Sequence, residues 1–359
     1  MLRVAVVGCG KAGENHVREI CTLPGARVVA LCDIEPLMAE QLSDRYSIAR
    51  HYGVFETMLA EERPDVVHVA TPPQSHVALS RLALDRGSHV VIEKPLTLEY
   101  ASAESLVQHA LHRQRKLTIG HGYHFDPICL SMRRMIADGQ LGEPVHVESF
   151  MGYAMDGQFG TPVFADSGHW VHGLPGKLVH NIIDHLLNKV MEFVQGDHPT
   201  IVAHAMQRLQ RDNPAFAMPD EVRIMLSDAR VSAYATFSAH ARPVGHHLTV
   251  YGTRNTMRLD FVAGTLTLQS TSSVPGAVGR VVATLDQSWQ HLRAGGANVA
   301  RIARGDFQYM TGLRTLFERF YDCVRDGTPP PIPYGEILRL SAITDQVFAQ
   351  FGAERRHSA

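Results

Sequence analysis

The chain has 359 residues, 45% apolar and 19% charged, with 34 basic against 36 acidic side chains. At this length two domains are expected, and the near-neutral charge excludes the basic field that a nucleic-acid partner requires. No stretch reaches the ~18 apolar residues of a membrane span, so no integral membrane segment is expected. Five scattered cysteines lack disulfide or zinc spacing, and "MLRVAVVGCGKAG" lacks a signal-peptide pattern, so a cytoplasmic location is expected.

The first third alternates short β-branched runs with amphipathic segments: "RVAVVG", "AGENHVREICTL", "ARVVALCD", "PLMAEQLSDRY", "DVVHVATP", "SHVALSRLALDRG", "HVVIEKP", "LEYASAESLVQHALHRQ" and "KLTIGHG". Five strand candidates keep this pattern over about 120 residues, which predicts an α/β doubly wound parallel sheet over residues 1–122. After Asp126 come a helix ("CLSMRRMIADGQLG"), the run "EPVHVESFMG", a Gly- and Pro-rich loop and the segment "GKLVHNIIDHLL". Five runs then alternate apolar with polar, "TIVAHAMQRL", "EVRIMLSD", "RVSAYATFSAHA", "HHLTVYGT" and "TMRLDFVAGTLTLQS". Residues 123–359 are therefore expected to form an α+β domain with an open, mostly antiparallel sheet, followed by two helices separated at "TPPPIP".

"VAVVGCGKAG" places Gly8, Gly10 and Gly13 after the first strand and at a helix start, the context of a dinucleotide fingerprint. The loop Gly8, Gly10, Lys11, Ala12, Gly13 is the candidate pyrophosphate cradle, its first two glycines allowing close approach and the third close helix packing. Asp33 ends the second strand twenty residues after Gly13, where a carboxylate accepts hydrogen bonds from the ribose hydroxyls. With Glu35 nearby it repels a 2′-phosphate, which favours NAD over NADP.

At "VIEKPLT" the chain resembles the glucose-fructose oxidoreductase, inositol dehydrogenase and MocA (Gfo/Idh/MocA) family. "VVGCGKAGENH", "ATPPQSH", "HFDP" with "IADGQLGEPVHV", and "FYDCVRDGTPPP" carry the resemblance over nearly the whole chain. It implies a cofactor domain followed by a domain whose open sheet often forms the oligomer interface, hence a homodimer or homotetramer. It also implies that Thr71, Pro72 and His76 lie along the cofactor, and that Glu93 and Lys94 sit beside the nicotinamide before a cis Pro95. Lys94 then supplies a fixed positive charge that stabilises a developing alkoxide.

In "GKLVHNIIDHLL", about 100° per residue puts Leu178, Val179, Ile182, Ile183, Leu186 and Leu187 on one side. Lys177, His180, Asn181, Asp184, His185 and Asn188 share the other, which alone describes an amphipathic helix with a wet face. The resemblance aligns His185 with a family histidine that acts as the base, and it places Asn181 where the family has Asp. An amide orients a hydroxyl but takes no proton. Asp184, about 100° round from His185, is a substitute partner, and His124 replaces a frequent Arg as a substrate contact. Trp170, in "DSGHWVHGLPGK" with His169 and His172, is a candidate stacking platform for a sugar ring. No histidine pair has metal-ligand spacing, so no metal is expected.

These features predict an NAD-dependent oxidoreductase acting on a secondary alcohol of a small carbohydrate: a sugar, sugar nucleotide or polyol. Lys94 polarises the oxygen, His185 exchanges the proton and Asn181 orients the substrate. Redox-assisted glycoside cleavage uses the same fold and cofactor. A non-catalytic cofactor-binding or membrane-surface partner protein is suggested by Asn181, His124 and the basic "WQHLRAGGANVARIARGDF", with Arg293, Arg301 and Arg304. An exposed or subunit-facing segment is the plainer reading of that stretch.

Overall fold

A computed structural model of the protein describes residues 1–157, 160–196, 198–209, 216–270, 274–305 and 311–357, with side chains through Phe351. Two compact units emerge, residues 1–123 with 312–345, and residues 124–311 with 346–359.

In the first unit, strands β1 (Leu2–Val7), β2 (Ala26–Cys32), β3 (His51–Tyr52), β4 (Val66–Val69), β5 (His89–Ile92) and β6 (Leu117–Ile119) alternate with helices. Those helices are α1 (Lys11–Cys21), α2 (Pro36–Tyr46), α3 (Phe55–Glu62), α4 (His76–Asp85) and α5 (Tyr100–His112). Among the described residues the strands form one six-stranded parallel sheet in the order β3-β2-β1-β4-β5-β6. Near-continuous burial of Val4–Val7, Val66–Val69 and Val90–Ile92 reflects helices on both faces. The chain winds outward in opposite directions from β1 and β4, so the carboxyl ends of those strands border a crevice. β3 pairs only two residues with β2, too few to leave a period in the sequence.

The second unit contains α6 (Pro127–Ala137), β7 (Pro144–Gly152), α7 (Gly160–Ala165), α8 (Lys177–Val190), β8 (Thr200–Met206), β9 (Glu221–Ser227) and β10 (Ser232–Ser238). It continues with β11 (His246–Gly252), β12 (Asn255–Asp260), β13 (Thr265–Ser270) and α9 (Gly276–Ala303). Its sheet runs β13-β12-β11-β7-β10-β9-β8, with β7 and β10 parallel and every other neighbouring pair antiparallel. Alternate residues such as Val147, Ser149, Met151, Ala233, Ala235 and Phe237 are buried, and α8 lies against β7 and β10. The long helix α9 flanks the edge strand. The Gln290 amide donates to the Leu268 carbonyl (2.9 Å) and accepts from the Leu268 N–H (2.8 Å), closing part of that edge.

A linear division at residue 122/123 differs from these units in the C-terminal segment. From Gly312 onward α10 (Thr311–Asp326) belongs with the parallel sheet, as does α11 (Tyr334–His357) up to Asp345. The cause is burial: Phe317, Phe320 and Tyr321 are at most 1% exposed, and the Phe317 ring lies 4.8 Å from His16 and 4.6 Å from His68. Among the described residues, no helix is long and apolar enough to cross a membrane.

Candidate active site

The glycine loop follows β1 directly. Gly8 has φ +92°, and a Cβ there would meet the Ala70 carbonyl oxygen at 2.6 Å; one on Gly13 would meet the Gly8 oxygen at 1.8 Å. Both glycines are thus demanded by the fold itself, whereas a Cβ on Gly10 meets nothing within 4 Å. Gly10 is also the N-cap of α1, with no side chain accepting from the first-turn N–H groups. Exposed Gly10 and Lys11 and half-buried Ala12 therefore border an open helix N-terminus suited to anionic oxygens. Asp33 is held against this loop, its carboxylate accepting from the N–H groups of Cys9 (2.6 Å) and Glu35 (3.0 Å). Burial pushes the Cys9 thiol up to about 12, which removes it as a nucleophile beside the loop.

At the end of β4, Thr71 is half-buried and Pro72 exposed. The expected place of His76 along the cofactor needs correction, because its side chain is fully buried. Its ring bridges the Thr71 carbonyl (2.8 Å) and the Pro95 carbonyl (3.0 Å), tying the loop after β4 to the turn after β5. That turn contains a cis Lys94–Pro95 bond, as the resemblance implies, with Lys94 half-buried.

Glu93 is 9% exposed and faces inward. One carboxylate oxygen accepts from His16 Nε2 (2.9 Å), the other from the Lys94 N–H (3.1 Å). The chain continues from His16 Nδ1 to His68 Nδ1 (3.0 Å), and from His68 Nε2 to the Tyr321 hydroxyl (2.8 Å). Burial raises the Glu93 pKa, but the His16 hydrogen bond and the Lys94 charge outweigh it and hold the carboxyl below its usual range. Burial, reinforced by His16, holds His68 well below the ordinary imidazole value, and burial holds Tyr321 well above the ordinary phenol value. These contacts join Glu93 to Tyr321 through the two buried imidazoles. Lys94 is mounted on a fully hydrogen-bonded interior.

In the second unit, α8 is buried nearly all round. His180, Asp184 and Asn188 are 3%, 5% and 4% exposed, so the expected wet face does not exist and Asp184 is not an accessible substitute for a family aspartate. The ring of His180 stacks on Phe348 at 4.5 Å, and burial takes its pKa down to about 4. Beyond Lys177, the helix is open only at Asn181 and His185. Four residues apart, these two share one strip of surface.

One turn on, Lys189 is buried, donates to the His185 carbonyl and lies 5.4 Å from the Phe261 ring centroid. Burial lowers its pKa to about 7, against the raising effects of Cys129 and Asp184. Between about pH 7 and pH 10.4 the unfolded chain holds a proton that the folded chain has released, so this group makes stability rise with pH through that window. Lys189→Met is expected to raise Tm at pH 6 by several degrees and at pH 9 by much less. Thermal melts of both proteins at the two pH values check this; an equal shift at both would contradict it.

Half-buried Trp170 lies in a short 3-10 turn, its ring 5.5 Å from that of His169. His124 Nδ1 accepts from Arg133 Nη2 (3.0 Å), which leaves Nε2 to carry the ring proton, and Arg133 is paired with Glu192 at 2.6 Å. A fixed cation thus stands one contact behind His124. Among the described residues no group of three or more His, Cys, Asp or Glu has the geometry to hold a metal ion.

Residues 2–121 match the "oxidoreductase family, NAD-binding Rossmann fold" of Gfo/Idh/MocA proteins, and residues 129–258 match the Gfo/Idh/MocA C-terminal domain. The chain belongs to the Gfo/Idh/MocA oxidoreductase family. It is 24% identical to D-apiose dehydrogenase of Rhizobium rhizogenes over 264 residues, 72% of this chain and 73% of that protein. It is 27% identical to inositol 2-dehydrogenase/D-chiro-inositol 3-dehydrogenase of Shouchella clausii over 212 residues, 58% and 60% of the two chains. The fold is also that of the WlbA dehydrogenase from Bordetella pertussis, solved with NADH and UDP-GlcNAcA, at TM-score 0.77, 17% identity and 97% and 95% coverage.

His16, His68, Tyr321 and Lys189 belong to the interior of the site although no sequence motif marks them. "GENH" hints at His16, but nothing local connects it with residues 52 and 305 positions further on. Lys189 was concealed because a lysine at the end of a helix reads as solvated.

Proposed function

We propose that the protein is an NAD-dependent dehydrogenase or reductase acting on a secondary alcohol of a sugar, sugar nucleotide or polyol. The observation that carries this reading is the nearly closed surface of α8, open beyond its first residue only at Asn181 and His185. A bound nicotinamide supplies the hydride acceptor or donor. Gly8 to Gly13 and the α1 N-terminus hold the diphosphate, and Thr71 and Pro72 border it. Asp33 binds the adenosine ribose, its charge disfavouring a 2′-phosphate and hence NADP.

Lys94 stabilises negative charge on the substrate oxygen, its backbone fixed by Glu93. His185 takes the hydroxyl proton as the carbon loses hydride, and returns it in the reverse direction. Asn181 orients a hydroxyl by giving or accepting a hydrogen bond, and His124 and Trp170 contact the rest of the carbohydrate. The test is absorbance at 340 nm with NAD and a panel of polyols, aldoses and nucleotide sugars. At least one is expected to give stoichiometric NADH. Tight NAD binding with no turnover of any would sink the reading, and cleaved glycoside without net NADH would replace it with redox-assisted cleavage.

A further inference from the structure

Helix α9 is amphipathic in the reverse sense. The residues it turns toward its own chain are small or polar: Gly279, Ala283, Gln287, Gln290, Ala294, Asn298 and Arg301 are its buried or half-buried positions. Its large apolar residues point away. Val278, Leu285, Leu292 and Val299 recur every seven residues and are 63%, 63%, 66% and 67% exposed, with Trp289 and Ile302 beside them at 57% and 61%. Four apolar residues at seven-residue spacing, across three heptads, form the seam of a helix pair. At those exposures the six side chains leave on the order of 700 Å² bare per copy, against about 800 Å² per partner in a stable interface.

We propose that α9 pairs antiparallel with α9 of a second copy of this chain, about a two-fold axis at Leu292. Gly295 and Gly296 identify the occupant. Two glycines inside a helix cost about 1 kcal/mol each relative to alanine. A Cβ on either would meet nothing within 4 Å, so the chain's own packing does not require them. With Leu292 facing itself, Trp289 falls opposite Gly295 of the second copy and Leu285 opposite Val299. The largest side chain of the seam thus meets its smallest residues, and the patch is self-complementary as an isologous contact must be. The stripe belongs to the helix that closes part of the β13 edge.

The test is the mass of the full chain by light scattering during size exclusion. The wild type is expected to run as a dimer or higher assembly, and Leu292→Glu and Leu292→Lys each to halve its mass with unchanged far-UV circular dichroism. Because position 292 faces itself, mixing the two variants is expected to restore the wild-type mass. Gly295→Leu is expected to halve the mass although it makes the stripe more apolar. A monomeric wild type, variants of undiminished mass, or a mixture that stays apart would each overturn the pairing. Binding of the wild type to phosphatidylglycerol vesicles, lost in Leu292→Glu with no change of mass, would assign the stripe to a lipid surface instead.

Discussion

Lys94→Met is expected to lower kcat/KM by about 10²–10³-fold while leaving the affinity for NAD within about threefold of wild type. The side chain is half-buried at the end of β5, and its peptide N–H is fixed by a carboxylate that is itself fastened by His16. Removing the ammonium leaves that interior intact, so the loss falls on stabilisation of charge at the substrate oxygen. Lys94→Arg is expected to recover little, because a planar guanidinium does not occupy the place of a compact ammonium. Steady-state kinetics with the best substrate of the panel, together with NAD titration by fluorescence, separate the two effects. Turnover within threefold of wild type would remove Lys94 from the chemistry.

His185→Ala is expected to cost about 10²–10⁴-fold in kcat and to abolish the pH limb that an imidazole base imposes on kcat/KM. His185 is half-exposed, so the same change should alter stability by no more than about 0.5 kcal/mol. Asn181→Asp is the sharper probe. A carboxylate one turn before the imidazole favours the imidazolium, and the limb is expected to move to higher pH by up to about one unit. An unmoved limb in Asn181→Asp would mean that the two side chains do not act together.

Much of the parallel sheet and its glycine loop was legible because local rules carry them. Strands covered on both faces read as apolar runs, Gly8 and Gly13 stand where backbone leaves no room for a Cβ, and Asp33 directly follows a strand at a fixed interval. The helix over 177–190 was legible from its period, but its polar side was read as wet. Polarity and exposure part company there, since His180 is paid for by stacking on Phe348, a residue 168 positions away. The same distance hid the links joining Tyr321, His68, His16 and Glu93, which the topology brings together and no local pattern foretells. α9 escaped for another reason: glycines interrupt its propensity, and its apolar face points away from the core that the period normally locates.

The contact between Tyr321 and His68 bears on how the chain is made. During synthesis the first six strands leave the ribosome long before α10, at about 5–20 residues per second. Until α10 arrives, His68 and His16 lack the ring of Phe317 and the hydroxyl that completes their hydrogen bonds. The nascent parallel sheet therefore waits through roughly 200 residues of further elongation before its interior is closed. A fragment ending near residue 123 would carry the glycine loop yet expose the apolar surface that Phe317, Phe320 and Tyr321 cover. The cofactor-binding half is thus a product of both ends of the polypeptide.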